Sequence, residues 1–135
     1  MNFVYNEKRG DTYTIMANGE PRKFTLLTKI DFTSDRKRMS VVMRELETNQ
    51  LFLFCKGADS MILKRLSPEN SIEVLDKTKE DLKTFSKEGL RTLAIAYKEL
   101  DRDYYMDWQK RYSEAQQEEF NVLAEVDPHI KIREV

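Results

Sequence analysis

The chain has 135 residues, which is near the commonest size of one domain and enough to bury a single hydrophobic core. Apolar residues make up 40% and charged residues 35%, a composition that favours a folded globule over a disordered segment. The 23 Lys and Arg residues nearly balance the 24 Asp and Glu residues. The chain therefore lacks the long-range positive field that attracts nucleic acids, and we expect no nucleic-acid partner.

Cys55 and His129 are the single cysteine and the single histidine. One cysteine excludes an intrachain disulfide and a cysteine-based metal cage, and it fits a reducing cytosolic setting. The sequence also shows no apolar run of the roughly 20 residues that a membrane helix needs, and no signal peptide. We therefore expect a water-soluble chain in which Cys55 is a buried strand residue and His129 belongs to the tail.

The first half of the chain has the pattern of an antiparallel sheet. Asn18-Gly19 is a tight-turn dipeptide between two segments rich in β-forming residues. A second pair of apolar strands is separated by a polar turn at residues 47–50. The predicted strand pairs are 11–16 with 22–27, and 39–46 with 51–56.

The second half alternates helices with one strand. A short helix over residues 61–66 ends at Pro68, and a second helix begins near Asp76 as N-cap and ends at Gly89. Residues 91–97 are expected to form a central strand. Asp101 then opens a long amphipathic helix with an aromatic stripe that predicts core packing. Together these elements predict an α+β fold, an antiparallel β-sheet flanked by helices, in one domain spanning residues 1–135.

A charged run, residues 35–38, interrupts two apolar stretches just after Phe32. Three interpretations remain open from the residues alone: a charged loop that Phe32 anchors, a small nucleic-acid patch, or a site for a small anionic ligand.

Lys56-Gly57-Ala58-Asp59 lies where a strand ends and a helix begins. Glycine lets the backbone turn closely, and a lysine beside free helix N–H groups suits a phosphate or a purine edge. The alternative is an ordinary strand-to-helix turn with Asp59 as N-cap. Arg91, just after Gly89, could likewise cap helix carbonyls or point a guanidinium group into the same cleft.

The order of three motifs resembles the nucleotide-binding domain of P-type ATPases. They are residues 32–41 (FTSDRKRMSV), 56–59 (KGAD) and 88–94 (EGLRTLA), and the resemblance covers roughly residues 13–123. Asp59, the run Ser34 to Ser40 and the Tyr/Trp-rich helix after Leu100 are more similar to the phospholipid-transporting (flippase) class than to cation pumps. A cation-transporting relative is the alternative.

The resemblance implies a set of nucleotide contacts. Phe32 would stack on the adenine ring, Lys56 would line the adenine pocket and reach toward the phosphates, and Arg91 would contact the phosphate side. Lys37 and Met39 match positions in the pocket wall. Ser34 stands where cation pumps often carry an arginine, and Asp35 and Arg36 are expected to hold the loop together.

The resemblance also implies a larger protein. ATP would be the ligand, with Mg²⁺ held mainly outside this domain, and the phosphoryl group would pass to an aspartate in the motif Asp-Lys-Thr-Gly-Thr of a separate phosphorylation domain. That motif is absent from this chain. We therefore expect no catalytic residue here and no turnover by the fragment, in a cytosolic domain of an integral membrane protein that itself makes no membrane contact. The expected partners are the phosphorylation and actuator domains and an accessory subunit.

Two departures from the family pattern indicate a truncated or divergent piece. The upstream Pro-Asp-Glu segment, which supplies an acidic nucleotide contact in the family, is missing, and residues 127–133 do not follow the pattern clearly.

Overall fold

A computed structural model describes residues 3–126 of the chain. These residues form six strands, three α-helices and a short 3₁₀ turn at Leu63–Arg65. The strands are β1 (Phe3–Arg9), β2 (Thr12–Ala17), β3 (Glu20–Ile30), β4 (Arg38–Glu45), β5 (Leu51–Gly57) and β6 (Ala94–Leu100), and the helices are α1 (Asp59–Ile62), α2 (Ile72–Lys87) and α3 (Arg102–Val126).

The six strands form one sheet in the order β1-β2-β3-β4-β5-β6, and the neighbouring strands from β1 to β5 pair antiparallel. The predicted α+β class is therefore confirmed. The chain divides into two compact units with the boundary between Glu99 and Leu100, so the sheet with α1 and α2 is one unit and α3 belongs to the other. Within the first unit, the buried apolar side chains are Phe24, Val42, Leu51 and Ile62.

The predicted hairpin at Asn18-Gly19 is confirmed. Both residues have positive φ, 54° and 90°, and Ala17 pairs directly with Glu20 across the turn. A two-residue turn with both φ values positive matches the right-handed twist of the strands it joins. Asn and Gly adopt that conformation at low steric cost, which is why this dipeptide predicted the turn correctly.

Strand β1 was not among the predicted elements. Its second half is the polar run Asn6 to Arg9, which lacks the alternation of a half-buried strand, and its register shifts between Tyr5 and Glu7. The segment forms a strand because it pairs with β2, and the hydrogen-bond ladder stabilises residues of low strand propensity.

Helix α2 ends as predicted but begins earlier. Gly89 has a φ of 77°, its N–H donates to Ser86 O (3.1 Å), and Leu90 N–H donates to Phe85 O (3.0 Å), which is a Schellman cap. The helix starts after Ser71, so the predicted N-cap Asp76 is wrong and lies inside the helix.

The segment before Pro68 also differs in its bounds from the prediction. Helix α1 starts at Asp59 and passes into the 3₁₀ turn, so the helical residues are 59–65 instead of 61–66.

Strand β6 is not central, which corrects the prediction. In the described sheet it is the last strand, next to β5, and it begins at Ala94 instead of residue 91. Its alternate apolar side chains Ile95 and Tyr97 are largely exposed. An apolar run predicts burial on both faces, but within residues 3–126 the face of β6 that carries Ile95 and Tyr97 is left largely uncovered.

Helix α3 opens at Asp101 as predicted, because the Asp101 carboxylate accepts a hydrogen bond from Tyr104 N–H (2.9 Å). The predicted aromatic stripe forms a ladder along the helix, with ring centroids 6.1 Å apart for Tyr105 and Trp108 and 4.9 Å apart for Trp108 and Tyr112. His129 and residues 127–133 lie outside the described residues.

A buried carboxylate ties β3 to the turn that follows β4. Glu45 is almost fully buried and accepts hydrogen bonds from Arg22 Nε (2.6 Å) and Thr48 Oγ1 (2.7 Å). Burial acts to raise the pKa of Glu45, but the hydrogen bonds from Thr48 and Arg22 and the charge of Arg22 together bring it below its ordinary value of 4.5. The ionised form is therefore stabilised by folding.

Replacing this carboxylate should destabilise the chain in a pH-dependent way. Because the pKa of Glu45 is lower in the folded state, its contribution is present above the unfolded pKa and is lost as pH falls through the folded pKa. We expect Glu45→Gln to lower the free energy of unfolding by roughly 1–2 kcal/mol at pH 7. Urea unfolding at pH 7 and at pH 3 measures the loss of unfolding free energy at each pH, with the exposed neighbour Glu47→Gln as control. An equal loss at both pH values would contradict the assignment.

Candidate functional site

The loop between β3 and β4, residues 31–37, carries two of the predicted site residues. Phe32 is 61% exposed, so its ring is not a core anchor. The loop is closed by backbone and side-chain bonds to Thr33, whose carbonyl accepts from Lys37 N–H (2.8 Å) and whose hydroxyl accepts from Arg36 N–H (3.2 Å). An exposed aromatic ring on a tightly bonded loop can offer a flat face to a ligand.

Lys37 is held in the left-handed region, with a φ of 50°. A non-glycine residue in that conformation costs on the order of 1 kcal/mol and persists only where its surroundings impose it. Here both of its backbone polar groups are bonded: the N–H donates to Thr33 O, and the carbonyl accepts from Ala58 N–H (3.0 Å). The strained residue thus joins the loop to the turn after β5.

The end of β5 packs directly on this loop. A Cβ atom at Gly57 would meet the Lys37 carbonyl oxygen and would lie 2.6 Å from Arg38 Cβ. Such contacts cannot be accommodated without moving backbone, so glycine is required by the close approach of β5 to residues 37–38. The sequence pattern indicated a close turn at Gly57 but did not identify the loop that it approaches.

Met39 and Lys56 are direct partners across β4 and β5. Residues paired in this way lie on the same face of a sheet, about 5 Å apart at Cβ. The structure therefore brings four of the predicted residues, Phe32, Lys37, Met39 and Lys56, to one end of the β4–β5 pair. Lys56 is exposed and Met39 is half-buried.

Arg91 is exposed and lies three residues before β6, the strand next to β5. In a six-stranded antiparallel sheet the start of β6 lies at the end of the sheet where β5 finishes. Phe54 of β5 and Tyr97 of β6 have ring centroids 6.3 Å apart, which gives the relative position of the two strands. Arg91 thus lies near the end of the sheet where Lys56 lies, three residues before β6.

An apolar depression of about 360 Å³ continues from Met39 and Lys56 along the same face of the sheet. Val41 and Phe54, which are themselves paired, follow Met39 and Lys56 at the next position on that face. The depression is lined by Tyr13, Ile15, Phe24, Leu26, Lys29, Val41, Met43 and Phe54. The depression was not predicted from the sequence, although alternating apolar residues in four neighbouring strands were the signal that could have revealed it.

Arg38 points to the opposite face of the sheet from Met39, since neighbouring residues of a strand alternate. Burial, and then the positive charges of Arg65 and Arg36, lower the pKa of Arg38. Its guanidinium group donates to Arg36 O (2.9 Å). The charged run 35–38 is thus divided between the exposed loop and the other side of the sheet.

Cys55 lies in β5 as predicted, but it is half-buried instead of fully buried. Its sulfur accepts a hydrogen bond from the buried Ser40 hydroxyl (3.3 Å). Within residues 3–126, no three His, Cys, Asp or Glu side chains come together in a way that could hold a metal ion. No helix in this range is long and apolar enough to cross a membrane.

The sequence of the chain matches a known protein family. The family model for P-type ATPase, cytoplasmic domain N, matches residues 8–125. The chain belongs to this domain N family. The match covers strands β2 to β6, the loop 31–37 and the Lys56–Ala58 turn, so all five predicted site residues lie within the domain N match.

Relatives of this domain N are phospholipid-transporting ATPases. The chain is 44% identical over 110 residues to phospholipid-transporting ATPase dnf2 of Schizosaccharomyces pombe, covering 82% of the chain and 8% of that relative. It is 42% identical over 113 residues to FetA of Mus musculus and 44% identical over 113 residues to phospholipid-transporting ATPase IK of Homo sapiens, each covering 84% of the chain. These matches cover 9% and 8% of the two relatives, so the chain spans less than a tenth of their length. The predicted resemblance to the phospholipid-transporting class is confirmed.

The contact between Gly57 and the loop can be tested by adding one methyl group. Gly57→Ala should push the Lys37–Arg38 backbone away from β5 and lower the free energy of unfolding by about 1–3 kcal/mol, the usual cost of overpacking. Amide NMR shifts of residues 32–38 should change with it.

Gly10→Ala is the control for that variant. Gly10 has a φ of 58° and open space around its missing Cβ, so alanine there strains the backbone without contacting the loop. We expect Gly10→Ala to destabilise the chain while leaving the shifts of residues 32–38 unchanged. Unchanged shifts in Gly57→Ala would contradict the packing described above.

Proposed function

We propose that the chain binds ATP and is the nucleotide-binding part of a phospholipid-transporting P-type ATPase. Membership of the domain N family and the names of the relatives support this proposal. The single observation that carries it is geometric: a bonded loop with an exposed ring and a lysine lies at the end of the β4–β5 pair where Lys56 follows the apolar face of the sheet. A flat apolar ring with anionic phosphates is the kind of ligand that such an arrangement suits.

In this proposal each site residue has a distinct role. Phe32 stacks on adenine, and Met39 forms the wall beneath it together with the start of the apolar depression. Lys56 and Lys37 present ammonium groups at the same end of the sheet, and Arg91 contributes on the phosphate side. None of these residues acts on the bond that breaks.

The phosphoryl group would then pass to an aspartate in a separate phosphorylation domain of the same polypeptide, and that transfer would drive lipid translocation. The actuator domain and an accessory subunit are further proposed partners, and this domain itself would face the cytosol without touching the membrane. Mg²⁺ belongs to phosphoryl-transfer chemistry, where it neutralises charge on the phosphates. The described residues do not fit Mg²⁺ by themselves, since residues 3–126 lack a cluster of metal ligands.

The expected affinity is modest. One aromatic stack contributes about 1–3 kcal/mol, whereas a millimolar dissociation constant needs only about 4 kcal/mol. The lysines add little more while water surrounds them, because exposed charges are screened. Stacking on Phe32 is therefore the largest single contribution in this arrangement.

Phe32→Ala should accordingly weaken ATP binding about tenfold or more without unfolding the chain, because the ring is exposed and stacking is worth about 1–3 kcal/mol. Isothermal titration with ATP measures the affinity, and circular dichroism checks the fold. Tyr104→Ala is a matched control, since Tyr104 is 60% exposed but lies on α3. If the two variants bind ATP equally well, the proposed role of Phe32 is wrong, and if Phe32→Ala unfolds, the ring serves the core instead.

Lys37→Gly separates the strain at this residue from its charge. Glycine adopts a φ of 50° freely, so we expect the free energy of unfolding to change by less than about 1 kcal/mol, while loss of the ammonium group weakens ATP binding. Asn49→Gly is the control, because Asn49 has a φ of 59° in the β4–β5 turn at the other end of β4. Unchanged ATP affinity in Lys37→Gly would remove Lys37 from the site.

A further inference from the structure

Arg36 closes the loop 31–37 across its base. Its Nη1 donates to Asp31 O (2.7 Å) and Ile30 O (3.3 Å), and its Nη2 donates to Ser40 Oγ (3.2 Å). The first two acceptors lie where β3 runs into the loop, and the third lies on β4. One side chain thus joins the two strands that the loop connects.

The contact with Asp31 acts directly on the backbone that carries Phe32. The Asp31 carbonyl belongs to the peptide group that links Asp31 to Phe32, and a peptide group is planar. Fixing that oxygen therefore fixes the plane from which the Phe32 ring projects. The ring itself is exposed, so packing around it does little to restrict its direction.

Ser40 extends this connection to the strand that carries Lys56. Its side chain is buried, and its hydroxyl donates to Cys55 Sγ (3.3 Å) while accepting from Arg36. Cys55 is the residue before Lys56 and the cross-strand partner of Ser40. The hydrogen bonds from Asp31 through Arg36 and Ser40 to Cys55 thus connect the residue before Phe32 with the residue before Lys56.

The residue type matters for this geometry. A guanidinium group is a planar fork with five N–H donors, whereas a lysine ammonium is a point charge on a flexible stem. Nη1 binds two carbonyl oxygens while Nη2 binds the Ser40 hydroxyl, and the single ammonium group of a lysine cannot reproduce this geometry. Because its described donors are directed to protein oxygens, Arg36 is arranged to hold the loop and not to meet phosphates.

We propose that Arg36 is a positioning residue that orients the Phe32 ring for the adenine of ATP without touching the nucleotide. This inference rests on the proposed function. It differs from a purely structural role because ordering the loop before binding removes an entropy cost that would otherwise weaken the complex. Its effect should therefore appear in the affinity of the folded protein.

The test measures ATP and adenosine affinities of the full 135-residue chain carrying Arg36→Met, by isothermal titration at a temperature where circular dichroism shows it folded. We expect both dissociation constants to rise about tenfold, which is about 1.4 kcal/mol. Arg36→Lys, which keeps the charge but not the fork, should restore only part of the loss. If Arg36→Met does not fold, Arg36→Lys becomes the test variant. Normal ATP and adenosine affinities in Arg36→Lys would then overturn the inference.

Arg65→Met is the matched control, since Arg65 donates to one backbone carbonyl, Met61 O (2.8 Å), outside the loop. We expect both affinities to stay unchanged in this variant. A loss of ATP affinity in Arg36→Met with normal adenosine affinity would mean that Arg36 contacts phosphate, and unchanged affinities would mean that the loop does not need it. Either result overturns the inference. Failure of the unaltered chain to bind ATP would instead refute the proposed function.

A double-mutant cycle tests the connection through Ser40. Ser40→Ala alone should weaken ATP binding by a smaller factor, because it removes one of three acceptors of Arg36. In the Arg36→Met background it should have no further effect, since the connection is already broken. Independent, multiplicative losses would contradict a single connected network. Backbone ¹⁵N relaxation of residues 32–37 should show increased mobility in both single variants.

Discussion

The candidate site depends on the close approach of β5 to the loop that follows β3. At Gly57 the two backbones are near enough that no Cβ fits, and the Lys37 carbonyl accepts from Ala58 N–H beside it. Fourteen residues lie between the segment 32–41 and the segment 56–59 in the chain, yet this contact makes them one structural unit. It also explains why Lys37 stays in a left-handed conformation, because its carbonyl must face the turn after β5.

The charged run 35–38 illustrates how one short segment can serve several purposes. Arg36 turns back to the carbonyls of Ile30 and Asp31. Lys37 is exposed in the same loop as Phe32, and Arg38 lies on the face of the sheet opposite to Met39. Consecutive cations repel one another, and part of the lowered pKa of Arg38 reflects that repulsion. The carbonyl oxygens of Ile30 and Asp31 and the hydroxyl of Ser40 accept hydrogen bonds from Arg36. These bonds offset the repulsion among the neighbouring cations.

Local signals in the sequence predicted the features that depend on a few neighbouring residues. The Asn18-Gly19 turn, the Gly89 cap and the Asp101 cap follow from backbone preferences of those residues, and the structure has all three. Four of the five candidate site residues also come together. The missed features depend on pairing between strands: β1 exists through its pairing with β2, and within residues 3–126 β6 is an edge strand because of strand order. The apolar depression needs the register of four strands at once, which no single segment reveals.

The openness of the site has a consequence for the proposed nucleotide binding. Phe32 and Lys56 are exposed, so in the proposed complex water would screen the attraction between the lysines and the phosphates, and the adenine end would supply most of the affinity. A ligand held mainly by its base leaves its terminal phosphate accessible to groups outside the domain. Under the proposed function the acceptor lies in a separate phosphorylation domain, and such binding is useful because the reacting phosphate must reach that domain. Affinity that came from enclosing the phosphates would oppose that transfer, whereas affinity gained by ordering the Phe32 loop beforehand does not.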